Sequence, residues 1–126
     1  MELEGKGQPT DAAILFLKAW HEAQTDFEKF TAAHYVARHQ KTTEDKLQWD
    51  KTALQHALNI QEQETVKAVL PSLYLNIAKC HEDLGDIDQA KTNYRSASAF
   101  AAFLSDDGYG TMIKKGIANG LERTDS

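Results

Sequence analysis

Residues 71–104 read PSLYLNIAKCHEDLGDIDQAKTNYRSASAFAAFL, and this stretch decides the fold. Leu73, Tyr74, Ile77 and Leu84 recur at spacings that line one face of a helix. Gly85 stands where a helix ends in a left-handed residue, and Asp86 is a good N-cap for the next helix. From there Ile87, Ala90, Tyr94, Ala97, Ala101 and Leu104 alternate spacings of three and four, the pattern of a packing seam. The stretch therefore predicts a helix, a tight turn and an antiparallel helix.

Upstream, Val66, Val69 and Leu70 carry the same stripe back across Pro71. A proline inside a helix removes the bond to the carbonyl four residues earlier, here that of Lys67, at a cost of about 3 kcal/mol. The chain either kinks there or makes a short turn over residues 64–70 and starts a new helix with Pro71 in its first turn. The unbroken stripe favours one kinked helix. Three helices are expected before it. The first covers about 10–23, capped by Thr10 or Asp11 with Pro9 just outside, and its stripe is Ala13, Phe16, Leu17 and Trp20. The second covers 26–39 with Phe27, Phe30, His34 and Ala37. The third begins near Thr42 or Thr43, ahead of Glu44 and Asp45, with Leu47, Leu54, Ala57 and Leu58 inward. Residues 105–108 form a turn, and a sixth helix over 109–122 presents Tyr109, Met112, Ile113, Gly116, Ile117 and Leu121. Gly116 and Gly120 each cost about 1 kcal/mol against alanine in a helix, for which close approach of another backbone is the usual compensation.

Composition agrees with an all-α domain. The chain of 126 residues holds two prolines and seventeen alanines, and no stretch alternates apolar and polar residues as a strand would. An apolar fraction of 41% with 26% charged residues excludes wholesale disorder. Residues 1–9 and 123–126 are expected to be tails, leaving a single domain over 10–122. The first ten residues, MELEGKGQPT, are polar and acidic, unlike a secretory signal or an Arg-rich transit peptide, and no apolar run could span a bilayer. A cytoplasmic location is the default expectation. A net charge of −5 argues against a nucleic-acid partner. With Cys80 alone, neither an internal disulfide nor a cysteine-based zinc site can form within one chain.

The hairpin has an internal echo. Leu47, Leu54 and Ala57 recur forty residues later as Ile87, Tyr94 and Ala97, and Tyr35 and Ala37 as Leu75 and Ile77. Tyr74, Ile77-Ala78, His81, Ala90, Tyr94 and Ala97, with the turn Leu84-Gly85-Asp86, hold the spacings of the tetratricopeptide repeat, which residues 71–104 resemble. The first unit has Asp50 in place of the small alanine, and its offset exceeds the family period of about 34. The whole chain also looks like small stand-alone bacterial proteins built on this repeat. The resemblance implies a right-handed superhelix of helical hairpins, with the sixth helix as a C-terminal cap. It also implies a concave groove, formed by the first helix of each unit, that binds a peptide or a partner helix.

Aligning the three first helices puts His39, Lys79 and Lys114 at one repeat position, with Tyr35, Arg38 and Asn76 nearby. A row of cations with an amide suits a carboxylate through charge-assisted hydrogen bonds. In the family such a face clamps a peptide C-terminus, although Val36 stands where the counterpart of Asn76 would be. The plain alternative is that Lys79 and Lys114 are solvated and His39 is favoured by a helix end. The other polar residues carry less. His34 and His39 are five apart, His81-Glu82 lacks the second histidine of a zinc motif, and His21 and His56 read as boundary residues. Cys80 reads as packing, the start Gly108-Tyr109-Gly110 as a turn and cap, and Trp20 and Trp49 as inter-helix filler. No cofactor, metal or catalytic activity is expected. A self-assembling subunit, with a homodimer covering the ends of the array, and a small sensor or enzyme using groove histidines are the alternatives to an interaction module.

Overall fold

The structure, a computed structural model, describes residues 9–61 and 63–125. The tail expected over residues 1–9 lies outside them except for Pro9. Among the described residues the chain is all-helical. Six helices have thirteen residues or more, one has five, there is one 3-10 turn, and there is no strand. The described residues divide into two compact units, one up to Ile60 and one from Gln61 on.

The first unit holds α1 (Pro9–Glu22), α2 (Asp26–Arg38) and α3 (Thr43–Asn59). Pro9 lies inside the first turn of α1 rather than outside it, a position where its missing N–H costs nothing. A capping box starts α2. The Thr25 hydroxyl accepts the Glu28 N–H at 3.1 Å, and the Glu28 carboxylate accepts the Thr25 N–H at 3.2 Å. Thr42 caps α3 by accepting the Asp45 N–H. α2 packs on both α1 and α3. Its buried residues Ala32, Ala33, Val36 and Ala37, with Leu47, Ala53 and Ala57 of α3, are mostly small, so the helix axes can come close. Asp50 is buried among them, where the second unit has Ala90.

The second unit holds α4 (Gln63–Lys67), α5 (Leu70–Asp83), α6 (Ile87–Ala99), a 3-10 turn (Ala101–Phe103) and α7 (Gly108–Thr124). The single kinked helix expected across Pro71 does not form. The Val69 N–H bonds to the Val66 carbonyl, three residues back, and a new helix starts at Leu70 with Pro71 in its first turn. There the proline withholds no helical bond. The stripe ran on unbroken because Val66, Leu70, Leu73 and Ile77 are all buried on either side of the break.

Gly85 has φ 83° and closes α5 with both bonds of a Schellman motif, its own N–H to the Glu82 carbonyl and that of Asp86 to the His81 carbonyl. α6 ends at Ala99, short of the expected seam, and Leu104 reaches the buried cluster through the 3-10 turn instead. That cluster joins Leu75 and Ala78 of α5, Ala90, Tyr94 and Ala97 of α6, and Ile113 and Ile117 of α7. Ile77, Ala78, His81, Ala90, Tyr94 and Ala97 are all buried. The echo between units is partial in burial. Ala57 and Ala97 match, whereas Leu47 is buried and Ile87 is 44% exposed.

Arg123 and Thr124 belong to α7 and not to a tail. Arg123 bonds Glu82, the Thr124 hydroxyl donates to the Gly120 carbonyl at 2.8 Å, and Asp125 pairs with Lys91 at 2.9 Å. What approaches Gly120 is the ring of Tyr94 rather than another backbone, and a methyl group there would overlap that ring.

Candidate functional site

The residues singled out from sequence fall into two groups. Tyr35, Arg38 and His39 come together in the first unit, around a side chain that sequence reading assigned only to a packing stripe. Tyr35 of α2 and His39, the residue that caps its C-terminus, are four residues apart. Both stack on Phe16 of α1, with ring centroids 5.0 and 5.2 Å away and planes 13° and 23° apart. The guanidinium carbon of Arg38 lies 5.7 Å from the centre of the Tyr35 ring, a cation–π arrangement. Tyr35 is 37% exposed, and the exposed Arg38 makes no hydrogen bond or ion pair among the described residues. The aromatic rings thus hold α1 to α2, and the guanidinium rests on one of them with its donors open to solvent. Such a group can take a carboxylate or phosphate through two parallel hydrogen bonds.

His34 meets the edge of Tyr35 at 5.5 Å. Its Nδ1 is buried with no hydrogen-bond partner in the structure. Burial, and then the charge of Arg38, hold its pKa below the usual imidazole value, so the ring is neutral at pH 7. At the other end of α2, Ala19 of α1 with Phe27, Glu28, Thr31 and Ala32 line a cleft of about 260 Å³. Phe27, expected in the packing stripe, is 54% exposed. α1 also exposes Ile14, Leu15 and Leu17. Trp20 and Trp49 meet edge to face at 5.3 Å, the inter-helix role expected of them. His56 is more than a boundary residue, since its Nδ1 is 2.8 Å from the Asp26 carboxylate.

Asn76, Lys79 and Lys114 lie in the second unit. Asn76 is half-buried on α5, and Lys79 of α5 and Lys114 of α7 are exposed. Beside Lys79 is a network that spacing did not reveal. Glu82 accepts hydrogen bonds from Arg123 Nε at 2.7 Å and from the Tyr94 hydroxyl at 2.7 Å. The Arg123 hydrogen bond, chiefly, holds the Glu82 carboxyl below its usual range, and the Lys79 charge adds to this. Burial, and then the hydrogen bond to Glu82, push the Tyr94 phenol up to about 12. No sequence signal marked Arg123, whose partner is 41 residues away.

The remaining polar candidates have packing or capping roles. Cys80 is buried. His81 is buried, with Nδ1 3.9 Å from the Asp86 carboxylate. The Gly110 N–H donates to the Asp107 carboxylate at 2.8 Å, so the start of α7 already has its anion. Among the described residues no three His, Cys, Asp or Glu side chains group to hold a metal ion, and no helix is long and apolar enough to cross a membrane. No family model matches the chain, and no curated protein or solved structure matches it.

Proposed function

We propose that the chain is a non-catalytic protein-interaction module of the tetratricopeptide type, acting in the cytoplasm and binding a peptide or partner helix on the face that carries Tyr35 and Arg38. The observation that carries this reading is Arg38, exposed, laid on a half-open aromatic ring and free of any ion pair among the described residues. A guanidinium held in that way is prepared for an anionic group on a partner. The buried small residues of the α5–α6 hairpin, at the spacings of the repeat, support the family assignment. In this reading His39 adds to the surface of the first unit, and Asn76, Lys79 and Lys114 belong to the second unit, as separate candidates for anionic groups. The net charge of −5 favours a protein over a nucleic acid as partner.

Fluorescence anisotropy with labelled acidic peptides tests the proposal. Micromolar binding that weakens with added salt is expected, with a further loss in Arg38→Glu and Lys79→Glu. Affinity unchanged in both variants would contradict it. The exposure of Ile14, Leu15 and Leu17 on α1 favours a second reading, self-association through that helix. Light scattering at micromolar concentration decides it, because a strict monomer excludes this second reading.

A further inference from the structure

We infer that the cleft between α1 and α2 is an anchoring subsite that takes one large apolar side chain of a partner peptide, while Arg38 takes an acidic side chain further along the same peptide. This rests on the interaction role proposed above and specifies what the partner must carry.

The cleft exists because small side chains meet there. Ala19 of α1 lies opposite Thr31 and Ala32 of α2 and leaves their surroundings unfilled, whereas Phe16, three residues earlier, fills its own place against Tyr35 and His39. About 260 Å³ stays open, with the exposed Phe27 ring as one wall. That is below the roughly 300–1,000 Å³ of small-molecule pockets, and it suits a single side chain. An apolar anchor dropped into such a recess beside an aromatic ring is the usual centre of a protein interface.

Charge sets the order of the partner's residues. Phe27, Thr31 and Arg38 stand at i, i+4 and i+11 and share one face of α2. At about 1.5 Å per residue, Arg38 lies roughly 16 Å along the helix from Phe27, at the far wall of the cleft, and roughly 9 Å from Ala32, at its near wall. Glu28, the one charged residue lining the cleft, accepts N–H groups from Thr25 and Gln24 that hold its pKa down, so it is an anion at neutral pH. An acid next to the anchor would meet this carboxylate, and an acid roughly 9–16 Å away would meet Arg38. In an extended peptide, at about 3.3 Å per residue, that distance is roughly three to five residues. The partner segment therefore carries a large apolar residue, no acid beside it, and an Asp or Glu about three to five residues on if extended.

The test is selection of a phage-displayed library of random dodecapeptides on the full chain, and then anisotropy with a synthetic copy of an enriched peptide. Enriched sequences should carry the apolar residue and the displaced acid. Ala19→Leu, which plugs the cleft, and Arg38→Glu should each weaken binding about tenfold. Both positions are exposed, and far-ultraviolet circular dichroism checks that the variants stay folded. Exchanging the acid of the peptide for lysine should restore binding to Arg38→Glu, an effect that no folding defect can imitate. If the enriched peptide binds both variants as it binds the wild type, the subsite is wrong, and the interaction role then stands only if Lys79→Glu weakens binding of that peptide. If no peptide is enriched on the wild type, the interaction role fails and this subsite with it.

Discussion

The Tyr94 phenol, Glu82 and His34 give the molecule a readable pH dependence. Tyr94 ionises at about 12 when folded and near 10 when unfolded, so its contribution is intact below pH 10 and is lost between 10 and 12. Absorbance at 295 nm should show a late step near pH 12 that disappears in Tyr94→Phe. Glu82 runs the other way. Its folded pKa is lowered, so its contribution is present above about 4.3 and is lost as pH falls through the lower folded value. Glu82→Gln should melt below the wild type at pH 7, and the gap should close under more acidic conditions. His34 also resists protonation when folded, so stability falls as pH drops below about 6.5, and His34→Gln should remove that step from a series of thermal melts. Two glycines of α7 separate by what lies beside them. At Gly120 a methyl group would overlap the Tyr94 ring, and Gly120→Ala should cost about 1–3 kcal/mol in urea unfolding. At Gly116 the neighbour is the end of the Leu75 side chain at 3.2 Å, which can turn away. Gly116→Ala should therefore be neutral or gain up to about 1 kcal/mol from helix propensity.

At the level of elements, caps decide where helices start and stop, and caps are local. This is why the turn at Gly85, the Asp86 cap and the start of α3 at Thr42 or Thr43 were legible in the sequence. Thr25→Ala should remove the capping box of α2 at a cost of about 1 kcal/mol, read as a lower urea midpoint. Gly85→Ala should cost a similar amount, because a left-handed φ strains any residue with a Cβ. The break before Pro71 was not legible. Hydrophobic periodicity reports which face is buried, and that face continues across the break, so the stripe cannot distinguish one helix from two on a shared course. The end of α7 was hidden for a different reason. Arg123 and Asp125 are fixed by Glu82 and Lys91, far away in sequence, and tail composition says nothing of such partners. The same holds for the hydrogen bond between His56 and Asp26, thirty residues apart.

At the scale of the whole molecule, the all-helical class was visible in proline and alanine content and in the repeated hairpin. The candidate face was visible only in part. Aligning the chain's own helices brought out His39 by repeat position, with Tyr35 and Arg38 nearby, yet it could not show that Tyr35 and His39 spend their rings on Phe16, which leaves Arg38 as the open polar group. Nor could it show the cleft beside Phe27, because a gap depends on what the facing helix fails to supply. The central claim is that this face recognises a peptide. Backbone amide NMR spectra of the chain, titrated with an enriched dodecapeptide, test it most directly. The account expects progressive shifts of amides near Ala19 on α1 and from Phe27 to Arg38 on α2. Spectra that stay unchanged at saturating excess, or shifts confined to α6 and α7, would contradict it.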